Sequence, residues 1–282
     1  MKETVEHILM AILVILILPC IIIFLLNGKM KGIYQAIKND TQYISVKTGS
    51  GILEMELEEY VIGVTAAQIP LGYDVEAVKA QMVLARTNIC RQILEKGEVK
   101  RETFLTMEEL ERAGAAEKFL RAESSTRGQI LVWKDKPIMA SFHSVSSGNT
   151  RDGNEVLDST DYPYLKSKAC PSDQNAPDYK SVIQIDGGWS DMEITKRDSA
   201  GYVQQIQLKD EYMSGEEFRN LLGLPSSDFD MEVRTDGVFL TIYGVGHGLG
   251  MSQYTAQQMA LSGKKYREIL GYFYTDVKLS AY

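Results

Sequence analysis

The sequence predicts an α+β fold, and three observations carry that prediction. Between Leu57 and Cys90, apolar residues recur at helical spacing on both sides of Pro70. Between Gln129 and Tyr243 the period shortens to two, and the apolar runs are separated by turn residues. From Gln253 onward the helical spacing returns, interrupted at Gly263. Helices at both ends with antiparallel hairpins between them are the segregated arrangement of that class. With 282 residues, 44% of them hydrophobic and 24% charged, the chain is long enough for one or two domains with a substantial core.

At the N-terminus, Ile8 to Leu26 is a charge-free apolar run of the length needed to cross roughly 30 Å of hydrocarbon. It predicts a transmembrane anchor over 8–26, with a short cytoplasmic tail over 1–7 and a polar stalk over 27–41. A cleaved signal peptide fits less well, because the run is long and no small-x-small site follows it. Cys20 is preceded by Leu18 and Pro19, so it makes no lipoprotein box. Lys2 on one side of the run and Lys29, Lys31 and Lys38 on the other leave its orientation open.

The folded domain is expected over 42–282, beginning with a hairpin from Gln42 to Glu56 around Thr48-Gly49-Ser50-Gly51. In the first helix, Leu57, Val61, Val64 and Gln68 share one face, and Pro70 ends the run. Gln68 therefore sits in the last turn. The second helix opens with Asp74 as N-cap and Glu76 in the first turn, and carries Val75, Val78, Met82, Ala85, Ile89 and Ile93 at helical spacing. Thr106 and Glu109 form a capping box for a helix running to about Ala122. Hairpins follow around Asp135-Lys136-Pro137 and Asp198-Ser199-Ala200-Gly201, and a third around Asp236-Gly237, a dipeptide suited to a type I′ turn. Ser214 and Glu217 cap a helix ending at Gly223, and two last helices cover about Gln253–Leu261 and Tyr266–Phe273.

The formal net charge of −8 argues against a nucleic-acid surface, which needs clustered Lys and Arg. No His-Glu-x-x-His, Cys-x-x-Cys or Gly-x-Ser-x-Gly motif occurs, so no metal and no cofactor is expected. The run Gly244, Gly246, Gly248, Gly250 fails as a dinucleotide loop, since Leu249 holds the place of the third glycine. Of three cysteines, Cys20 lies in the anchor, while Cys90 and Cys170 could form one bridge but are expected as unpaired thiols.

The stretch LEEYVIGVTAAQIP, with EAVKAQMVLART after it, resembles the signature of the stage II sporulation protein D (SpoIID) family, whose usual form is close to LEeYVxGVvAaEMP followed by EALKAQAvAART. Two further segments extend the resemblance. PIMASFHSVSSGNT, from Pro137 to Thr150, is similar to the family's His-Ser-x-Ser-Gly-Gly segment, and VGHGLGMSQY, from Val245 to Tyr254, is similar to its GHGxGMSQ signature. The resemblance implies a cell-wall lytic transglycosylase that cuts peptide-stripped peptidoglycan glycan strands during forespore engulfment. It further implies a single-pass membrane protein with an extracytoplasmic domain, and the stage II sporulation proteins P and M as partners.

In that family the residue before the hydrophobic-Pro pair is the catalytic glutamate; here it is Gln68. A carboxylic acid at a helix C-terminus on an apolar face would stay protonated, donate to the glycosidic oxygen, and then take the proton from the hydroxyl that closes the anhydro ring. An amide has no labile proton to give. The expectation is a protein that binds glycan strands with activity weakened or lost through Gln68; the alternative is a non-catalytic membrane-tethered scaffold. Glu76 and Asp74 are the neighbouring carboxylates considered as substitute acids. The resemblance places substrate binding at His143, Ser144, Ser146, His247, Ser252 and Gln253, with Gln81 and Arg86 in support.

Overall fold

The computed structural model describes residues 42–48, 51–189 and 191–282. The 8–26 segment, its flanking tail and the stalk lie outside the described residues. Among the described residues no helix is long and apolar enough to cross a membrane, which corrects the single-pass membrane location expected from the sequence. The longest of them, Val75–Lys96, carries Glu76, Lys79, Arg86, Arg91, Glu95 and Lys96 along its length.

The α+β class is observed, as helices and several small sheets. Strands β1 (Tyr43–Thr48) and β2 (Gly51–Glu56) form the first hairpin, Tyr43 facing Glu56. Helix α1 (Leu57–Gln68) follows directly, and α2 (Val75–Lys96) starts after the turn at Pro70, with the Asp74 carboxylate accepting from the Glu76 N–H at 2.8 Å. Strand β3 (Val99–Lys100) then lies parallel to β1. The helix expected from Thr106 to Ala122 is two, α3 (Met107–Arg112) and α4 (Ala116–Thr126). Gly114 separates them at φ +67, a conformation that no helix can pass through. The capping box at Thr106 is present as read.

After β4 (Gln129–Trp133) the expected hairpin is cut short. Its return strand β5 is only Lys136–Pro137, because the Asn88 side chain takes both backbone groups of Ala140 at 3.0 Å and draws the chain away from the ladder. Strand β6 (Phe142–His143) pairs elsewhere, as described below. A one-turn helix, α5 (Gly153–Val156), leads to a second subdomain. There β7 (Lys180–Ile185), β8 (Met192–Arg197), β9 (Val203–Leu208), β10 (Glu211–Ser214), β11 (Phe229–Arg234) and β12 (Gly237–Tyr243) form two three-stranded sheets, ordered β10-β9-β8 and β11-β12-β7. Helix α6 (Gly215–Leu222) packs on them with its capping box intact. The β11–β12 turn differs from expectation. Arg234 pairs with Gly237, so Thr235 and Asp236 make the loop, and neither has positive φ.

The chain returns to the first subdomain through β13 (Met251–Ser252), α7 (Gln253–Leu261), α8 (Tyr266–Phe273) and β14 (Lys278–Ala281), which completes the sheet of β4. Two cores result. The larger buries α1 and α2 residues such as Tyr60, Val64, Met82 and Leu84 against Phe119, Met251, Ile269 and Phe273. The smaller centres on Val203, Ile206, Phe218, Phe229 and Leu240. Cys90 and Cys170 are free buried thiols, both pushed up to about 12 by burial.

Candidate functional site

Gln68 is the last residue of α1 and Gln81 lies in the second turn of α2, so the turn at Pro70 folds one glutamine back onto the other. Gln81 Nε2 donates to Gln68 Oε1 at 3.0 Å. Gln253, the first residue of α7, donates from Nε2 to Gln81 Oε1 at 3.1 Å and to the Gln68 carbonyl at 2.8 Å. Gln68 Nε2 in turn donates to Glu102 Oε2 at 2.8 Å, and Gln92 Nε2 donates to Glu102 Oε1 at 3.3 Å. Three amides thus point their donors one way, from Gln253 through Gln81 and Gln68, and end on one carboxylate. The two Glu102 oxygens accept from Gln68 and Gln92, so the Gln68 nitrogen faces Glu102 and its oxygen is left for Gln81. A chain aligned like this polarises along its length.

Glu102 is the group that sequence reasoning missed. It stands two residues beyond β3, in a short charged run with no periodicity, and its partners Gln68 and Tyr60 are 34 and 42 residues away. No local signal marks it. Its backbone N–H donates to Tyr60 Oη at 2.9 Å, and the Leu105 N–H donates to the Gly63 carbonyl at 3.0 Å. A Cβ at position 63 would lie 2.5 Å from the Leu105 carbonyl oxygen, so only glycine lets this loop cross α1. Burial raises the Glu102 carboxyl above the ordinary range, and the bonds from Gln92 and Gln68 oppose this without cancelling it.

A second cluster fixes where Gln253 stands. β13 pairs with β6 in parallel, Met251 with Phe142 and Ser252 with His143. The fully buried Asp173 carboxylate accepts from the Ser146 N–H at 2.7 Å, Ser252 Oγ at 2.7 Å and Thr255 Oγ1 at 2.6 Å. Ser252 also caps α7, accepting from the Thr255 N–H at 3.2 Å. Gln253 follows directly, so Asp173 sets the helix start that carries it. Asp173→Ala strands three buried donors, and urea unfolding should show a loss of about 2–3 kcal/mol. Asp173, too, has no motif signal, because its partners come from two distant segments.

His143 is buried in the same region, with Nδ1 donating to the Leu249 carbonyl at 3.1 Å and Nε2 without a hydrogen-bond partner among the described residues. Burial, with the neighbouring His247, lowers it to about 3, so the ring is neutral. Their ring centroids are 5.9 Å apart. His247 is half-buried, its Nδ1 accepts from the Leu249 N–H at 3.0 Å, and burial lowers it as well. Gly246 has φ +116, and a Cβ there would come within 2.6 Å of the His143 Cβ; its glycine is required by packing. Ser144 is exposed and offers its carbonyl to the Tyr254 N–H at 3.1 Å.

Two other residues are not brought to Gln68. Glu76 pairs with Lys79 at 2.8 Å and accepts from the Tyr266 N–H at 3.0 Å. Burial alone would raise its carboxyl, but Lys79 and that N–H hold it below the usual range. Arg86 is fully buried and bonds Glu58 at 2.6, 2.9 and 3.2 Å and the Gln129 carbonyl at 3.2 Å. A surface cavity of about 530 Å³, lined by Arg151, Val203, Gly215 and Glu216 among others, contains none of the glutamine cluster.

Comparison with known proteins identifies the family. A family model described as SpoIID, stage II sporulation protein, matches residues 47–133, the span that holds Gln68, Gln81 and Glu102. Stage II sporulation protein D of Bacillus subtilis (strain 168) is 32% identical over 255 residues, 79% of this chain and 74% of that one. Its namesake from Bacillus amyloliquefaciens is 33% identical with the same coverage. An amidase enhancer of Bacillus subtilis (strain 168) is 24% identical over 287 residues, 78% of this chain and 40% of the relative. The chain belongs to the SpoIID family of sporulation proteins.

Proposed function

We propose that this sporulation protein binds peptide-stripped glycan strands of peptidoglycan during forespore engulfment, with Gln68 at the binding position and cleavage weak because an amide replaces the carboxylic acid. The observation that supports this most is the oriented relay of Gln253, Gln81 and Gln68. Residues from three separated segments hold one half-buried amide in a single orientation, and a preorganised amide is what a sugar hydroxyl needs in order to bind. An amide held in a single orientation favours this reading over a scaffold that ignores glycan. Within this proposal the stage II proteins P and M are the partners, the first an amidase that strips stem peptides and so supplies the naked strands.

The test is co-sedimentation of the full chain with insoluble peptide-free glycan. Native protein should sediment with it, and Gln68→Leu, which removes the amide and leaves Glu102 and Gln81 without their central partner, should weaken binding about 10-fold or more. Equal binding by both would remove the site from the proposal.

A further inference from the structure

We propose that Glu102 carries the proton for this chain's own glycan cleavage, standing beside Gln68 in place of an acid at position 68. This rests on the reading of the site as a glycan-strand site and adds the group that would make it catalytic.

Position comes first. Glu102 Oε2 lies 2.8 Å from Gln68 Nε2, so a glycosidic oxygen held against the Gln68 amide is within a short displacement of the Glu102 carboxyl. Rigidity comes second. The Glu102 segment is gripped from three sides, by the Arg101 N–H to the Lys47 carbonyl at 3.1 Å, by Tyr60 Oη on the Glu102 N–H, and by the docking of Leu105 at Gly63. Tyr60, besides its place in the larger core, and Gly63 both serve the loop that presents this carboxyl. A catalytic group has to be held in this way to stay aligned.

Third is the company Glu102 keeps. Glu58, Glu76 and Asp198 are buried carboxylates that face cations, Arg86, Lys79 and Arg151 in turn, while Asp173 is held by an N–H and two hydroxyls. The side chains bonded to Glu102 are neutral amides, Gln68 from α1 and Gln92 from α2. Of the other titratable or charged groups around it, Tyr60 from α1 meets only its backbone N–H, the Arg101 guanidinium lies over the Phe104 ring at 5.5 Å, and Lys47 of β1 pairs with Glu98 at 2.8 Å. Half-buried and without a paired cation among the described residues, the carboxyl keeps a proton to higher pH than an exposed glutamate does.

The step balances with one carboxyl group. The Glu102 proton passes to the glycosidic oxygen as its bond to C1 breaks. The C6 hydroxyl oxygen of the muramic acid forms the new bond to C1, and its proton returns to the Glu102 carboxylate. No water or other co-reactant is consumed. Gln68 acts as a positioning residue, its nitrogen on Glu102 and its oxygen on Gln81.

The full chain is incubated with peptide-free glycan strands, anhydro-muramic ends are counted by mass spectrometry, and co-sedimentation is measured on the same strands. Native protein is expected to cut slowly, with a rate that rises as pH falls through a single ionisation above the ordinary glutamate value. Glu102→Gln should lose cutting by about 10²- to 10⁴-fold, counted per bound protein, while Glu102→Asp should keep part of the rate. Undiminished cutting by Glu102→Gln overturns the proposal. So does a native chain that binds and does not cut, which leaves strand binding standing. A native chain that does not bind overturns the functional reading and this proposal with it. If Glu102→Gln misfolds, the native pH profile decides, a flat profile over about pH 4–8 overturning the proposal.

Discussion

Gln68→Glu should raise glycan cutting about 10²-fold or more over the native chain and make the protein's stability depend on pH. The new carboxyl would stand where the Gln68 amide now donates to Glu102 Oε2 at 2.8 Å, so two carboxyl groups would share one proton and titrate as a pair. Like charges at this spacing push the upper pKa of the pair above its unfolded value. The folded variant then binds a proton that the unfolded chain has released. Its stability relative to native is therefore greatest below about pH 4.5 and falls as pH rises through the raised value. A shift of roughly one to three units corresponds to about 1–4 kcal/mol. Urea unfolding across pH and a count of anhydro-muramic ends check both parts. No change in either would mean that positions 68 and 102 do not meet in solution.

Arg86→Met should destabilise the protein by about 3–5 kcal/mol, because it leaves the Glu58 carboxylate buried without its cation. The pair ties α1 to α2, and Glu58 also accepts from Tyr282 Oη at 2.9 Å and the Gly128 N–H at 3.3 Å, so both ends of the β4–β14 region depend on it. Burial alone would raise the Glu58 carboxyl, but Arg86 and the hydrogen bonds hold it below the usual value. In the native protein its contribution is therefore present above about pH 4.5 and is lost as pH falls through the depressed folded value. In Arg86→Met the sign reverses, since burial, the largest influence on the carboxyl, then outweighs the remaining bonds from Tyr282 and Gly128, and acid restores stability. The double variant Glu58→Leu with Arg86→Met should recover most of the loss, as buried ion pairs replaced by apolar side chains commonly do. Urea midpoints for the three proteins at two pH values are sufficient. An unchanged midpoint in Arg86→Met would show that the pair carries little stability.

The parts of the fold that were legible beforehand are those whose determinants lie within a few residues. Asp74, Thr106 and Ser214 cap their helices as read, because a side-chain oxygen and an N–H two or three residues on decide the geometry. The helices Gln253–Leu261 and Tyr266–Phe273 have the expected bounds. Strands fared unevenly. The β1–β2 and β8–β9 hairpins are local and were read correctly. The β6–β13 pair and the addition of β14 to β4 join residues far apart in the chain, and periodicity carries no information about such partners. The return strand after Lys136 failed for a related reason, since one distant side chain, Asn88, outcompeted the ladder.

The site divides in the same way. By itself the sequence determined the helical pair around Pro70, the three segments that resemble the SpoIID family, and the amide at position 68, because each is written in adjacent residues. Only the tertiary structure decided that Arg86 is spent on Glu58, that Asp173 sets the start of the helix carrying Gln253, and that Glu102 meets Gln68. The physical reason is that a side chain's role depends on its burial and on the charges facing it. Those are set by which segments cross, here a loop passing over α1 at Gly63.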